Sequence, residues 1–441
     1  MALSLIRGPA KPAHPVAFLD LGTSKVSCLI VSAAVSDPGE ARLGDALPVR
    51  KLGFGLTRSR GIKAGTITDL AEAEEAVKLA VGQAEAEAGT RVEEVVVAVT
   101  SGRLKSLNFA TSARPVDGTV AGSDIDKMLA AGKAFAEKDG RTLLHLQRLG
   151  FRLDEQHGIR NPRGMSGERL SLDLNAVTAD ESALRNIRLL LARGFLKAST
   201  LVAAPYASAL ATLLEEDLQA STVVIDLGAG TTSFAVFREG QFQHAGAVAI
   251  GGLHITQDIA RALSIPVNQA ERIKALYGNL MGAMSDEHEF VPLAAGNKSS
   301  AGEPRLTRAQ LRQLVAPRVD ETLQLVRDRL AESGLGADRP ERLVITGGAS
   351  ELAGLADVAG RRFGCRARVG WPRPVTGMVS GSATPGSSAL LGLVYAVLVP
   401  GALGRFSEPK GATPAGYAGR LGRWFKESFW DDEQPADTGS A

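Results

Sequence analysis

The sequence predicts an α/β protein of two related lobes, each built on a mixed sheet, with a further module inserted into the first. Three observations carry this. A strand–turn–strand motif occurs at Asp20 and again at Asp226. The stretch after each copy alternates β-branched runs with helical patterns. Between the copies lies a more polar segment from about 92 to 167. The 441 residues, 44% hydrophobic and 22% charged, have the balance of a packed globular chain. Aromatics are only 5%, so Ala, Leu and Val must build the core. Lys and Arg exceed Asp and Glu by two charges, too few for a nucleic-acid surface over the whole molecule. Cys28 and Cys365 make no disulfide framework, and the six histidines show no metal-ligand spacing.

The N-terminal apolar stretch stops at Arg7, too short for a signal peptide, and Pro9, Pro12 and Pro15 argue for a disordered leader over 1–14. Val16–Leu19 and Val26–Val31 read as the arms of a hairpin around Asp20-Leu-Gly-Thr-Ser-Lys25. Ile67–Ala88 reads as a helix with Asp69 as N-cap and Gly89 as its stop. Val92–Val99 reads as a buried strand, Ser123–Glu137 as a helix, and Ala179–Arg193 as a helix ended by Gly194. The second hairpin surrounds Asp226-Leu-Gly-Ala-Gly-Thr-Thr232. Helices are expected at Leu253–Leu263, Val267–Tyr277 and Thr307–Leu330, and a strand at Leu343–Thr346 running into Gly347-Gly348. No charge falls between Arg373 and Arg405, but Pro385 and Pro400 confine a helix to 386–399. At ~1.5 Å per residue it reaches roughly 21 Å, short of a ~30 Å bilayer core, so a buried helix is expected.

Two Asp-Leu-Gly hairpins suit a polyphosphate. Glycines let the backbone approach an anion, and successive N–H groups of a tight turn form a nest for phosphate oxygens. Gly22, Gly228, Ala229 and Gly230 supply that backbone, and Thr23, Ser24, Thr231 and Thr232 add hydroxyls. Asp20 and Asp226 close each first strand, where carboxylates hold the water shell of Mg²⁺. Three more segments fit the same site. Gly347-Gly348-Ala349 follows a strand and suits close passage beneath a purine. Glu271 and Lys274 share a helix face at i, i+3, for a ribose or adenine edge or for a solvated ion pair. Gly251-Gly252 precedes a helix whose N-terminus suits a phosphate.

These residues resemble the actin/Hsp70/sugar-kinase ATPase superfamily and, within it, the FtsA family of bacterial cell-division proteins, over about 14–400 and the C-terminal segment. Asp20-Leu-Gly-Thr-Ser-Lys25 resembles the family's first phosphate motif, Asp226–Thr232 the second, Leu343–Ala349 the adenosine motif and Ala270–Lys274 the adenosine-contacting helix. Ala203–Ser208 and Gly386–Val399 look like the two interdomain connecting helices. The resemblance implies an actin-like two-lobed fold: lobe 1A over 15–91 and 168–204, an inserted subdomain 1C over 92–167, lobe 2A over 205–253 and 337–400, and subdomain 2B over 254–336. It also implies ATP with Mg²⁺, self-assembly into protofilaments, binding of the C-terminal peptide of tubulin-like FtsZ, recruitment of other division proteins, and a place on the cytoplasmic face of the inner membrane. Hsp70-type relatives carry a glutamate just before the Pro of the first connecting segment. Ala204 stands here, so slow hydrolysis at most is expected and no general base is assigned.

After a Pro/Gly-rich linker over 401–416, residues 417–431 read as an amphipathic helix before an acidic tail over 432–441. Leu421, Trp424, Phe425 and Phe429 share one face, and Arg420, Arg423 and Lys426 lie opposite, as on an anionic membrane surface. Four apolar side chains at ~1.5–3 kcal/mol each give roughly 6–12 kcal/mol. Ordering the segment costs ~1 kcal/mol or more per residue, so one anchor is marginal and many on one filament hold firmly. Arg308 and Arg318, in an arginine-rich stretch, are candidates for a carboxylate-bearing peptide. Two other readings stay open: a pilus-assembly scaffold like PilM, and a small-molecule kinase of the same superfamily.

Overall fold

The computed structural model of the chain describes residues 15–33, 49–100, 103–292, 306–333, 339–379 and 381–398. The expected leader, linker, amphipathic helix and acidic tail lie outside these residues. So do their membrane-facing candidates Arg420, Leu421, Arg423, Trp424, Phe425, Lys426 and Phe429.

The duplication is visible in the sheets. One five-stranded sheet runs in the order Val49–Arg58, Lys25–Ala33, Pro15–Leu21, Glu94–Val99, Lys197–Ala203. The other runs Gln241–Val248, Thr232–Arg238, Thr222–Leu227, Arg342–Thr346, Arg366–Val369. In each, an antiparallel meander of three strands is extended by two parallel ones. Even the register repeats: Asp20 pairs with Ser27, and Asp226 with Ser233. The central strands read as unbroken apolar runs because helices or the other lobe cover both faces.

A four-stranded antiparallel sheet, Lys105–Ala113, Leu170–Asp180, Arg141–Leu153, Gln156–Ile159, forms the insert with helix Gly122–Ala136. Ile125, Met128 and Leu129 of that helix pack with Leu146, Leu172 and Leu174 in a core of its own. Strand pairing moves two boundaries drawn from the sequence. Glu94–Val99 belongs to the first lobe's sheet, and Leu170–Asp180 belongs to the insert's. Both are apolar runs, and apolarity alone does not tell which sheet a strand joins.

Helix Leu70–Ala88 has the expected caps, though Ile67 belongs to a short strand before it: the Asp69 carboxylate accepts from the Ala71 and Glu72 N–H groups, and Gly89 closes it at φ 65°. Helices Glu181–Arg193, Gly252–Leu263, Val267–Tyr277 and Arg308–Glu332 lie within a few residues of their expected spans. The segment without charges forms helix Ser388–Leu398, whose Leu390, Leu391, Leu393 and Val394 are fully buried. No helix among the described residues is long and apolar enough to cross a membrane. This helix crosses Ala204–Thr212 at the core between the lobes. The crossing is tight: a Cβ on Gly392 would stand 1.8 Å from the Ala207 carbonyl oxygen.

The insert also touches the second lobe. His145 of the insert, Tyr206 of the first connecting helix and Phe242 of the second sheet form one aromatic cluster. Ring centroids lie 4.8 Å apart for His145–Tyr206 and 4.6 Å for Tyr206–Phe242. His145 Nε2 accepts the Ala203 N–H at 2.9 Å. Nearby, Asn175 Nδ2 of the insert donates to the Gln243 carbonyl at 2.8 Å.

Candidate functional site

The two Asp-Leu-Gly turns end the central strands of the two sheets and face each other. A Cβ on Gly230 would stand 2.6 Å from Thr23 Oγ1 and 3.0 Å from Thr23 Cβ, so glycine is what allows the turns to meet. Lys25 reaches across the same gap. Its Nζ would lie 3.2 Å from a Cβ on Gly386, beside Gly348 of the second lobe. The cross-cleft set thus includes Gly22, Thr23, Ser24 and Lys25 on one side and Gly228, Ala229, Gly230 and Thr231 on the other.

Burial, opposed by Lys25 and aided by Asp226, pushes the Asp20 carboxyl up to about 6. Burial also raises Asp226, opposed by a hydrogen bond from Ser208 and by Lys25. Ser208 Oγ, on the first connecting helix, donates to Asp226 Oδ2 at 2.5 Å. Two carboxylates near one ammonium, short of water, favour a further cation. Oxygen donors without sulfur or imidazole fit a hard ion that keeps part of its water shell, as Mg²⁺ does. Among the described residues no group of three or more His, Cys, Asp or Glu could hold a metal, so waters and ligand oxygens would complete such a shell.

Gly347 joins the strand end to this centre. It adopts φ 86°, and a Cβ there would fall 2.3 Å from Asp226 Oδ1. Gly252 brings the remaining candidates together: a Cβ on it would lie 2.8 Å from Ala349 Cβ and 3.6 Å from Lys274 Nζ. Lys274 Nζ donates to Glu271 Oε2 at 2.8 Å, to Thr256 Oγ1 at 2.8 Å and to the Gly252 carbonyl at 3.0 Å. Thr256 Oγ1 also bonds Glu271. Glu271 and Lys274 therefore sit beside the Gly347–Ala349 turn.

Two expected roles change. The Gly252 and Leu253 N–H groups donate to the Gly228 and Ala229 carbonyls at 2.9 and 2.8 Å. Gly251-Gly252 therefore docks the helix onto the hairpin and does not offer those N–H groups to a phosphate. Thr232 is fully buried, and its Oγ1 donates to the Ile250 carbonyl at 2.8 Å, a tie that shapes the turn. Sequence reasoning missed Ser208 and Thr256. Each reaches its partner only through helix packing, and no local spacing announces it.

The arginine candidates are engaged within the chain. Arg318 forks onto Asp258, with Nε to Oδ2 at 2.6 Å and Nη2 to Oδ1 at 3.1 Å, and it also meets Glu321. Arg308 pairs with Glu289 at 2.9 Å.

Paired meander-plus-parallel sheets, with two helices packed between them and two glycine turns brought together, define a protein of the actin-like ATPase fold. Solved structures agree on the fold. The PilM–PilN type IV pilus biogenesis complex matches with a TM-score of 0.62 at 19% identity, covering 88% of this chain and 99% of that one. MreB5 of Spiroplasma citri bound to ADP matches at 0.50 and 14%, covering 88% and 97%. The chain belongs to the FtsA family of cell-division proteins. It is 36% identical over 426 residues to cell division protein FtsA of Agrobacterium fabrum, covering 95% of this chain and 96% of the relative. The FtsA of Pseudomonas aeruginosa is 31% identical over 421 residues, covering 93% and 97%. The family model for cell division protein FtsA matches residues 223–392, and that for the SHS2 domain inserted in FtsA matches 101–178.

Proposed function

We propose that the chain binds ATP with Mg²⁺ between its two hairpins, polymerises into actin-like protofilaments and tethers FtsZ filaments to the cytoplasmic face of the inner membrane at the division site. The observation that carries the nucleotide reading is Gly230 against Thr23: two phosphate-type turns meet across a cleft between lobes. Gly22–Lys25 and Gly228–Thr231 grip the phosphates. Asp20 and Asp226 hold the ion through water, and Glu271, Lys274 and Gly347–Ala349 frame the adenosine. A bound Mg²⁺ would supply positive charge against the polyphosphate oxygens. Ala204 leaves the connecting helix without a carboxylate at its start, which supports a scaffold role with slow hydrolysis at most.

In this reading 15–91 with 168–204, 92–167, 205–253 with 337–400, and 254–336 are the units 1A, 1C, 2A and 2B, with the two boundary strands exchanged as their pairing requires. Subdomain 2B offers the surface for the FtsZ C-terminal peptide. Because Arg308 and Arg318 already hold carboxylates, such a peptide would exchange for these ion pairs. Residues 417–431 anchor the filament to anionic lipid, and other division proteins assemble on it. Membership in a cell-division family supports this role over pilus assembly or a kinase.

Co-sedimentation with anionic vesicles, with and without ATP, tests the reading. ATP should raise pelleting of the full chain, and Trp424→Glu should abolish pelleting while ATP binding persists. Equal pelleting by the variant would reject the anchor. Stoichiometric phosphoryl transfer to a small molecule in a coupled assay would instead favour the kinase.

A further inference from the structure

At the end of the second lobe's sheet away from the hairpin tips lies a cavity of about 410 Å³ that nothing above uses. Its floor is apolar, with Val223, Val236, Leu330 and Phe363 all buried. Among the described residues its lining carries five guanidiniums, from Arg238, Arg327, Arg339, Arg361 and Arg362, and one carboxylate, that of Asp328.

Arg308, Arg312 and Arg318 each hold a carboxylate, and Arg342 and Arg368 share Asp217. Around the cavity, no described carboxylate pairs with Arg327, Arg339, Arg361 or Arg362. Arg362 Nη2 donates to Gln324 Oε1 at 2.9 Å, and Asp328 accepts from Gln324 Nε2 at 2.6 Å. Helix ends explain part of the charge. Arg361 and Arg362 occupy the last turn of helix Leu355–Phe363, and Arg327 lies near the end of Arg308–Glu332. Each helix C-terminus carries about half a negative charge. Two of them offset about one guanidinium, so an excess of cations remains.

Guanidiniums above an apolar floor favour carboxylates with apolar side chains next to them in the chain over a bare inorganic anion. The chain contains such a segment, Phe429-Trp-Asp-Asp-Glu433, outside the described residues. We propose that this cavity receives Phe429–Glu433 of the same chain, the aromatics on its floor and Asp431, Asp432 and Glu433 on its arginines. Reach is no obstacle. The 32 residues 399–430 span up to roughly 110 Å when extended. The same tether raises the local concentration of the segment. Docking overlaps the expected anchor 417–431, so it deepens the membrane reading by holding the anchor off the lipid. The docking itself does not depend on that reading.

The test needs no vesicles, so a failed anchor leaves it intact. A fluorescent peptide spanning 429–437 is titrated into the full chain, into the full chain with Asp431→Asn, Asp432→Asn and Glu433→Gln, and into that variant also carrying Arg327→Glu and Arg361→Glu. Both arginines are exposed, so charge reversal spares the core, and unchanged thermal melting checks this. The neutralised chain should bind the peptide at least tenfold more tightly than the wild type, whose own segment competes. The double charge reversal should lower that affinity at least tenfold. Equal affinity for wild-type and neutralised chains would overturn docking of the chain's own segment. No peptide binding to the neutralised chain, or binding indifferent to the arginine changes, would overturn the site. Displacement by inorganic phosphate as readily as by unlabelled peptide would make it a phosphate site and sink the proposal.

Discussion

The meeting of the two hairpins gives the sharpest test, through Gly230→Ala. The added Cβ would lie 2.6 Å from Thr23 Oγ1, 2.8 Å from Thr23 Cγ2 and 3.0 Å from Thr23 Cβ. Carbon atoms in contact prefer about 3.5–4.0 Å, so the turns must separate by several tenths of an ångström or more. Overpacking of this size costs about 1–3 kcal/mol. The free protein can relieve it by opening the cleft, whereas a nucleotide gripped from both sides cannot. The cost therefore falls on binding, a drop of about 5- to 150-fold in affinity for ATP with Mg²⁺. Calorimetric titration measures it, with thermal melting of the free protein as control. A double-mutant cycle with Thr23→Ala isolates the contact: once Oγ1 and Cγ2 are removed, the Gly230→Ala penalty should fall to less than half. Affinity within twofold of the wild type, or a penalty unchanged in the Thr23→Ala background, would show that the turns do not clamp one ligand.

Further outcomes follow from the same geometry. Burial raises Asp20 toward about 6, so its contribution to folding is greatest while it is protonated and is lost as pH rises through that value. Asp20→Asn should therefore melt no lower than the wild type at pH 8 without nucleotide, yet lose at least tenfold of the Mg²⁺ dependence of ATP binding. His145 is buried, with its pKa lowered by burial to about 3, while the unfolded chain takes up that proton near 6.5. Stability should then fall by about 1.4 kcal/mol per pH unit as pH drops from roughly 6 toward 4, and urea unfolding of His145→Gln should show a slope shallower by about one proton. Gly392→Val, at the helix crossing, should destabilise by about 3 kcal/mol or more in denaturant unfolding or prevent soluble expression.

Much of the candidate site's arrangement was legible because its motifs are local. Asp-Leu-Gly turns, apolar flanking strands and the Gly347-Gly348 corner sit within short windows, and the repeat of one motif announced the repeated sheet. What escaped depends on residues far apart in the chain. Nothing near Ser208 points to Asp226, and Thr256 acquires its role only where two helices pack. Arg318 read as available until Asp258, sixty positions away, proved to hold it. Thr232 looked equivalent to Thr231, but strand pleating turns alternate side chains to opposite faces and buries the second hydroxyl. The insert's boundaries slipped because Leu170–Asp180 is as apolar as any lobe strand, and partner choice is set by topology.

The contact of the insert with the far lobe has a mechanical consequence. Asn175 grips the Gln243 backbone while His145 is wedged against Tyr206 and, through it, Phe242. A swing of one lobe about the crossed helices must then drag the insert along or shear these contacts. The insert is therefore tied to both lobes at once, and any hinge motion between them loads these few contacts first.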